Sequence, residues 1–270
     1  MHLKRWITSI IGLPILISLV FYGGTSIFTL CVCAACLISL WEYFSIVFND
    51  RKDIIISPST ILAFIIGALI VIAAHTKLFE IILWLFILNL IISGFISILQ
   101  FKNDKYSPEI VAKQILGICY IPLLISYMVL LRNGEDGIQW ISFLFTIVFM
   151  GDVGAYYAGS YLGRHKLCPA VSPGKTIEGS IGGLLANIIV GSVFKYYFFP
   201  NTSWIIDIIF FIIIGAISQT GDLFESQLKR VSKIKDSGNI LPGHGGILDR
   251  IDALLFACPV VYYFKQYLVI

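Results

Sequence analysis

The sequence predicts an all-α integral membrane protein with about nine transmembrane helices. Hydrophobic residues make up 58% of its 270 residues, charged residues only 13%, and the mean hydropathy is +0.90. Soluble domains are roughly 45–50% apolar and about 25% charged, and a soluble fold of this size leaves too much surface in water to hide the excess. A disordered chain is excluded by the same figures, because disordered segments are poor in apolar residues.

Nine apolar runs approach or exceed the length of about 20 residues that a helix needs to cross a bilayer. None shows the alternation of polar and apolar residues that is typical of a membrane β-barrel, so each is predicted to be a helix. The runs cover residues 6–22, 25–48, 54–74, 78–101, 110–131, 138–163, 177–199, 203–222 and 251–269.

The first run follows Lys4 and Arg5, as the apolar region of a signal peptide would. No cleavage site with small residues follows it and eight further runs do, so we expect an uncleaved first helix. Short connections join the next four runs. The last run follows the longest polar stretch, residues 226–250, and polar loops of this length are often functional.

The distribution of basic residues predicts a cytoplasmic N-terminus and, with nine spans, a C-terminus outside. In this orientation 15 of the 19 Lys and Arg residues lie in inner segments, and the four outer ones are Lys77, Arg132, Lys195 and Lys265. We expect a multi-pass protein of the cell (inner or plasma) membrane. It is interpreted as one polytopic membrane domain over 1–270, with hydrophobic helices in 1–132 and the functional helices and loops in 138–270.

One face of a predicted helix carries a carboxylate, a hydroxyl and two ammonium groups. At 100° per residue, Asp222, Ser226, Lys229 and Lys233 lie within about 40° of one line along the helix. Oxygen donors together with cations suit an anion that is held through a hard metal ion. The alternative, an amphipathic helix end whose lysines meet lipid phosphates, is equally compatible with this segment alone.

A glycine-rich segment follows, with acids where the last apolar run begins. Gly243, Gly245 and Gly246 allow backbone N–H groups to approach phosphate oxygens closely. Asp249 and Asp252 are one helical turn apart and could instead simply favour a helix N-terminus. His244 is interpreted as a hydrogen-bond donor to phosphate or as a loop stabiliser.

The third group of candidate residues lies on either side of residue 163. Asp152 falls inside an apolar run, where an ionised carboxylate costs about 2.5–3.5 kcal/mol and normally marks a functional site. Glycines around it also predict close helix packing. The later segment Ser172–Thr176 has Gly and Lys, but it lacks the full phosphate-loop pattern of soluble ATPases. Glu42, a second buried acid, has no role that its spacing can assign.

From the residues alone, the best interpretation is a membrane enzyme that transfers a phosphoryl or nucleotidyl group to a lipid at the cytoplasmic boundary. Two alternatives remain open. One is a related enzyme with another lipid acceptor or nucleotide, and the other is a polytopic transporter that uses Glu42 and Asp152.

The polar stretch and its flanks resemble the signature of the phosphatidate cytidylyltransferases, also called CDP-diacylglycerol synthases. The upstream segments around Asp152 and Ser172–Gly179 are similar to that family as well, although Val153 stands where the family often has Ser or Thr. The residues that carry the main resemblance are Ser226, Lys229, Arg230, Lys235, Asp236, Gly238, Leu241, Pro242, His244, Gly245, Gly246, Asp249, Arg250 and Asp252.

The resemblance implies that CTP and phosphatidate react to give CDP-diacylglycerol and diphosphate for phospholipid synthesis. It further implies a Mg²⁺-dependent homodimer in the membrane, with Asp222 and Asp249 as metal ligands of a two-cation site and no nucleic acid among its partners. Asp222, Lys229 and Asp249 are the expected catalytic residues, and Asp152 and Asp252 form an expected intramembrane polar site. The expected substrate-binding residues are Ser172, Lys175, Thr176, Glu178, Ser226, Arg230, Lys235, His244 and Arg250.

Overall fold

The computed structural model describes residues 2–198, 202–240 and 245–268, and within them the protein is almost entirely helical. Its ten α-helices are α1 (His2–Tyr22), α2 (Gly24–Val47), α3 (Pro58–His75), α4 (Phe79–Gln100), α5 (Ser107–Ile118), α6 (Leu124–Arg132), α7 (Gly137–Leu162), α8 (Ile177–Phe198), α9 (Trp204–Val231) and α10 (Leu248–Leu268). A 3₁₀ turn (Lys52–Ile56) precedes α3, and a π-helical segment (Cys119–Leu123) joins α5 to α6. Two short strands, β1 (Lys166–Cys168) and β2 (Ser172–Thr176), complete the elements.

Seven segments in the described part of the chain are helical, long and apolar enough to cross a membrane. They are α2, α3, α4, the continuous stretch Ser107–Arg132, α7, α8 and α9. The apolar part of α1, Gly12–Tyr22, is shorter, and α10 is not among the seven. The structure therefore supports a multi-pass membrane protein, while the nine spans and the orientation of the termini stay predictions.

Outward-facing apolar side chains are consistent with lipid around these helices. In α4, Leu83, Trp84, Ile91 and Phe95 are all more than half exposed. Water would disfavour so large an apolar surface, whereas lipid tails solvate it.

The structure differs from the sequence prediction in two places. The helix that carries the face beginning at Asp222 was expected to continue to Lys233, but α9 ends at Val231. Lys233 lies beyond that helix in a left-handed conformation (φ 56°), so the prediction that it extends the Asp222 face is wrong. The segment between the predicted spans that end at residue 163 and begin at residue 177 contains an antiparallel hairpin of β1 and β2, which the sequence did not predict.

The chain divides into two compact units, the first formed by residues 1–133 and 232–250. In its core, the Tyr43 hydroxyl donates to the carbonyl of Lys113 over 2.9 Å. Gly117 lies so close that a Cβ there would be 2.7 Å from the Tyr43 ring. Buried amides of Asn89 and Gln114 hydrogen-bond to each other in both directions and so join α4 to α5. Such polar pairs are a common means of holding membrane helices together.

The second unit comprises residues 134–231 and 251–270. Small residues let α7 and α8 pack closely, as the glycine spacing predicted. A Cβ on Gly154 would meet that of Ala186 at 2.5 Å, and one on Gly183 would lie 3.0 Å from the carbonyl oxygen of Gly151. A Cβ on Gly221 would lie 2.6 Å from the Asp252 carbonyl, so the glycine also allows α10 to approach α9.

Candidate functional site

Asp222 and Lys175, both predicted from the sequence, form an ion pair in the second unit. Asp222 lies on α9 and Lys175 on β2, and 2.6 Å separates Lys175 Nζ from Asp222 Oδ2. The two side chains are 33% and 28% exposed, so the pair remains accessible to a ligand. One turn along α9, the Ser226 hydroxyl donates to Asp222 Oδ1 over 3.4 Å. The predicted helical face is therefore confirmed for Asp222, Ser226 and the half-buried Lys229.

Lys229 has a partner that the sequence reasoning did not assign. Its Nζ donates to Oε2 of Glu225 over 2.5 Å, and the Glu225 side chain is fully buried. The signal was present in the sequence, because Glu followed by Lys four residues later is a standard helical ion pair. Glu225 thus fixes the position of the Lys229 ammonium group, which was expected to bind a phosphate.

Arg230 and Glu178 hold the hairpin in place. The Arg230 Nε donates to the Val171 carbonyl over 3.0 Å, at the turn between β1 and β2. Glu178 accepts from the Arg164 and His165 backbone N–H groups and lies 2.6 Å from His165 Nδ1. His165 was missed from the sequence, and the contacts of Glu178 are those of a residue that closes the hairpin base.

Thr176 is buried where β2 meets α8. Its hydroxyl accepts a hydrogen bond of 3.1 Å from the N–H of Gly179, which is the interaction of a helix-capping residue. Ser172, at the other end of β2, is half-buried and pairs in register with Cys168. The hairpin therefore presents Lys175 from a strand that both Thr176 and Glu178 anchor.

Asp252 and Asp152, the expected intramembrane polar site, both belong to the second unit. Asp252 is 8% exposed and accepts from the Ala253 N–H over 2.8 Å. It lies within electrostatic range of Asp222, Lys229 and Asp152. Asp152 is exposed on α7. The Asp252 carboxylate is thus influenced by acids on two other helices of this unit.

In the first unit, Asp249 organises the backbone that leads into α10. Its Oδ2 accepts from the Ser237 N–H over 2.9 Å and from the Gly246 N–H over 2.8 Å. Gly245 has a φ of 83°, and a Cβ on it would collide with Asp249 Oδ2. Only glycine fits this position comfortably, since L-residues disfavour positive φ.

The other residues predicted to bind substrate are exposed to solvent or lie outside the described residues. Lys235 and Arg250 are exposed in the first unit. His244 lies outside the described residues. Glu42, to which spacing alone assigns no role, accepts three hydrogen bonds from Ser237, Ile247 and Leu248. A carboxylate so occupied offers no support for the transporter alternative.

Each unit offers oxygen donors of the kind that a hard divalent cation such as Mg²⁺ prefers. Asp222 and Ser226 supply them in the second unit, and Asp249 supplies them in the first. In the described part of the chain, no three His, Cys, Asp or Glu side chains are grouped so that they alone could hold a metal ion. In nucleotide enzymes, Mg²⁺ is commonly bound by one or two carboxylates together with substrate phosphates and water.

Comparison with known proteins identifies the family. Residues 3–268 match the model of the "Cytidylyltransferase family". A protein of Staphylococcus haemolyticus named "Phosphatidate cytidylyltransferase" is 35% identical over 259 residues, which cover 95% of this chain and 96% of that protein. Proteins of the same name from Staphylococcus saprophyticus and Staphylococcus aureus are each 40% identical over 59% of this chain and 61% of their own length. Because the match spans nearly the whole sequence, the chain belongs to the cytidylyltransferase family.

Proposed function

We propose that this protein transfers the cytidylyl group of CTP to phosphatidate, giving CDP-diacylglycerol and diphosphate for phospholipid synthesis. The observation that carries the proposal is the 35% identity to a protein named "Phosphatidate cytidylyltransferase" over 95% of the chain. The ion pair between Lys175 and Asp222 supports it, because it gathers a cation and a carboxylate at an accessible position.

In this reaction an oxygen of the phosphatidate phosphate attacks the α-phosphorus of CTP. The bond between that phosphorus and the α–β bridging oxygen breaks, and diphosphate leaves with the electron pair. The nucleophile is already an anionic oxygen, so no strong base is required. Catalysis then consists mainly of positioning the two anions and neutralising their charge.

Three basic residues of the second unit are proposed phosphate ligands. Lys175, Lys229 and Arg230 are each held by a protein partner, which limits the entropy lost when a phosphate binds. A preorganised cation stabilises charge as it develops on the leaving diphosphate. Lys235 and Arg250, which are exposed in the first unit, are also proposed to bind phosphate.

Asp222 and Asp249 are the proposed ligands of Mg²⁺. Each is proposed from the hydrogen bonds that it makes within its own unit. Ser226 supports Asp222 through a hydrogen bond, and the N–H groups of Ser237 and Gly246 orient Asp249. When bound, the cation neutralises the phosphate charge of the nucleotide and of the leaving diphosphate. Binding of a second cation is also proposed.

The cytoplasmic face is the proposed location of the reaction, since CTP is a charged solute that does not cross the membrane unaided. Cys168 in β1 provides a direct test of orientation, because it is partly exposed in the hairpin beside Lys175. A membrane-impermeant thiol reagent should label Cys168 in inside-out vesicles and leave it unlabelled in intact cells. A Glu135→Cys variant on the predicted outer side, made in a Cys168→Ser background, should show the reverse.

The reaction itself is tested with membranes or detergent-purified protein, labelled CTP and phosphatidate. The proposal expects label to enter the organic phase only when phosphatidate and Mg²⁺ are both present. Diacylglycerol, phosphatidylglycerol, ATP, GTP and UTP serve as competitors that distinguish another acceptor or nucleotide. Transfer to a different lipid in preference to phosphatidate would replace the proposed acceptor, and no lipid product at all would reject the proposal.

An Asp249→Asn variant then links the reaction to the site. Asn keeps the volume of the side chain but loses the charge, so a fall in turnover of about 100-fold or more is expected. Asp53→Asn is the matched control, because Asp53 is an exposed acid (73%) of the same unit. Normal turnover in Asp249→Asn would remove Asp249 from the proposed site while leaving the reaction in place.

A further inference from the structure

Glu42 is a buried acid of α2 whose side chain is only 2% exposed. Its Oε2 accepts from the Ser237 hydroxyl over 3.1 Å and from the Leu248 N–H over 2.7 Å, and its Oε1 accepts from the Ile247 N–H over 3.0 Å. All of these groups belong to the first unit. Both oxygens of a carboxylate within an apolar helix therefore accept hydrogen bonds from a segment about 200 residues later in the chain.

The same segment holds Asp249. The N–H of Ser237 donates to Asp249 while the hydroxyl of Ser237 donates to Glu42. The N–H of Gly246 donates to Asp249, and the next two N–H groups along the chain donate to Glu42. The donor groups at the start of α10 and just before it thus hydrogen-bond to one or other of the two carboxylates. A movement of either carboxylate would shift backbone that hydrogen-bonds to the other.

Close packing leaves this segment little freedom around Glu42. A Cβ on Gly238 would lie 2.5 Å from Glu42 Oε1, and a Cβ on Gly246 would lie 2.5 Å from the same oxygen. The two glycines allow the backbone to lie directly against the carboxylate. Their substitution would push the donors of Asp249 out of place.

Helix stability alone accounts for part of this arrangement. The first N–H groups of a helix have no partner within it, and a carboxylate near them also interacts favourably with the helix dipole. However, Asp249 itself already provides an acid in the first turn of α10. A second acid from α2, in an apolar span where an ionised carboxylate is costly, is better explained by the need to fix Asp249.

We propose that Glu42 is a positioning residue for Asp249. It fixes the backbone of residues 237 and 246–248, and this backbone in turn orients the Asp249 carboxylate toward the cation. The inference rests on the proposed role of Asp249 as a metal ligand. Residues that orient metal ligands typically change metal affinity by about 10–100-fold when they are substituted.

The test is a double-mutant cycle on cation binding, measured without turnover. Mn²⁺ replaces Mg²⁺ as the probe, and free Mn²⁺ is followed by electron paramagnetic resonance during titration of the purified full-length protein. Glu42→Gln exchanges one acceptor oxygen for an NH₂ group that faces a donor, so Mn²⁺ affinity should fall about tenfold or more. In an Asp249→Asn background the same substitution should have little further effect, because Glu42 acts through Asp249.

Two further variants keep the result interpretable. Ser39→Ala is the matched control in α2, since the Ser39 hydroxyl is buried and has no hydrogen-bond partner in the described part of the chain. It should bind Mn²⁺ as the wild type does. If Glu42→Gln does not fold, Ser237→Ala removes one of the hydrogen bonds to Glu42 and should still weaken binding by a few-fold.

Unchanged Mn²⁺ affinity in Glu42→Gln, or an equal loss in the presence and absence of Asp249, would overturn the proposal. Absence of saturable binding to the wild type would overturn it as well, together with the metal role of Asp249. Failure of cytidylyl transfer with intact Mn²⁺ binding would instead contradict the proposed function alone.

Discussion

The Nζ atom of Lys175 lies 2.6 Å from Oδ2 of Asp222, which joins the second strand of the hairpin to α9. One partner is a proposed phosphate ligand and the other a proposed metal ligand. The pair keeps each charge compensated before a substrate is present. Because both side chains remain about one-third exposed, a nucleotide phosphate and its cation can compete for the two charges.

Replacing Lys175 with Met should raise the KM for CTP about tenfold or more and should also lower kcat, because the lysine is proposed to neutralise charge on bound CTP and on the leaving diphosphate. A charge-assisted hydrogen bond contributes about 1.5–3 kcal/mol, and this variant removes one from a bound phosphate. Lys166→Met is the control, because Lys166 is an exposed lysine of the same hairpin. Steady-state kinetics over a range of CTP concentrations measure the effect, and an unchanged KM would exclude Lys175 as a nucleotide contact.

Gly245→Ala should lose activity together with stability. An Ala at a φ of 83° costs about 1–2 kcal/mol, and its Cβ would collide with the carboxylate of Asp249. Gly94→Ala is the control, because a Cβ at Gly94 has no neighbour within 4 Å. Activity per folded protein and the melting temperature are compared. Equal behaviour of the two variants would show that the backbone near Asp249 tolerates displacement.

Asp207→Asn should destabilise the second unit without acting on the chemistry. Asp207 forms a buried ion pair with Lys195, and the lysine also donates to the hydroxyl of Thr202 over 2.8 Å. Removing one member of a buried pair leaves the other charge uncompensated and costs about 3–5 kcal/mol.

The melting temperature of the detergent-purified protein measures this loss. Glu80→Gln, a change in an exposed acid, should leave it within the error of the wild type. A wild-type melting temperature for Asp207→Asn would mean that Lys195 is stabilised by its other contacts alone. These include the ring of Trp204, 4.9 Å from Nζ.

The pair of Arg51 and Asp104 predicts a small dependence of stability on acid. The hydrogen bond from Arg51, 2.8 Å in length, lowers the pKa of Asp104, and the Tyr106 N–H lowers it further. A lowered pKa in the folded state means that the stabilisation is present above the unfolded value of about 3.9 and disappears as the pH falls through the folded value.

The melting temperatures of the wild type and Asp104→Asn should accordingly differ at pH 7 and converge as the pH falls through the lowered pKa of Asp104, below its ordinary value of about 3.9. The pair is exposed, so the difference at pH 7 is expected to be small. A difference that widens on acidification would contradict the assignment.

The sequence was most informative where its signals are local. Helical periodicity correctly placed Asp222, Ser226 and Lys229 on one face, and glycine spacing correctly predicted close packing of α7 on α8. The pairing of Glu225 with Lys229 was readable from the same periodicity but was not assigned. The glycine and acid content of residues 235–252 predicted a functional segment there.

The contacts of Glu42 could not be predicted in this way. It meets Ser237 across 195 positions in the sequence, and no periodic pattern relates residues so far apart. The hairpin at 166–176 was missed because a short polar segment with Pro and Gly gives no alternation of apolar residues. Glu178 was expected to contact a nucleotide, yet its hydrogen bonds depend on the hairpin that the sequence did not reveal.

The most direct test of the central claim uses purified protein, phosphatidate vesicles and CTP labelled in separate reactions at the α- or the γ-phosphate. Cytidylyl transfer predicts that α-label enters the lipid in CDP-diacylglycerol, while γ-label is released as diphosphate, both in proportion to phosphatidate and in equal amounts. Entry of γ-label into the lipid would show phosphoryl transfer instead. Release of γ-label without any α-labelled lipid would show hydrolysis, and either result would contradict the proposed function.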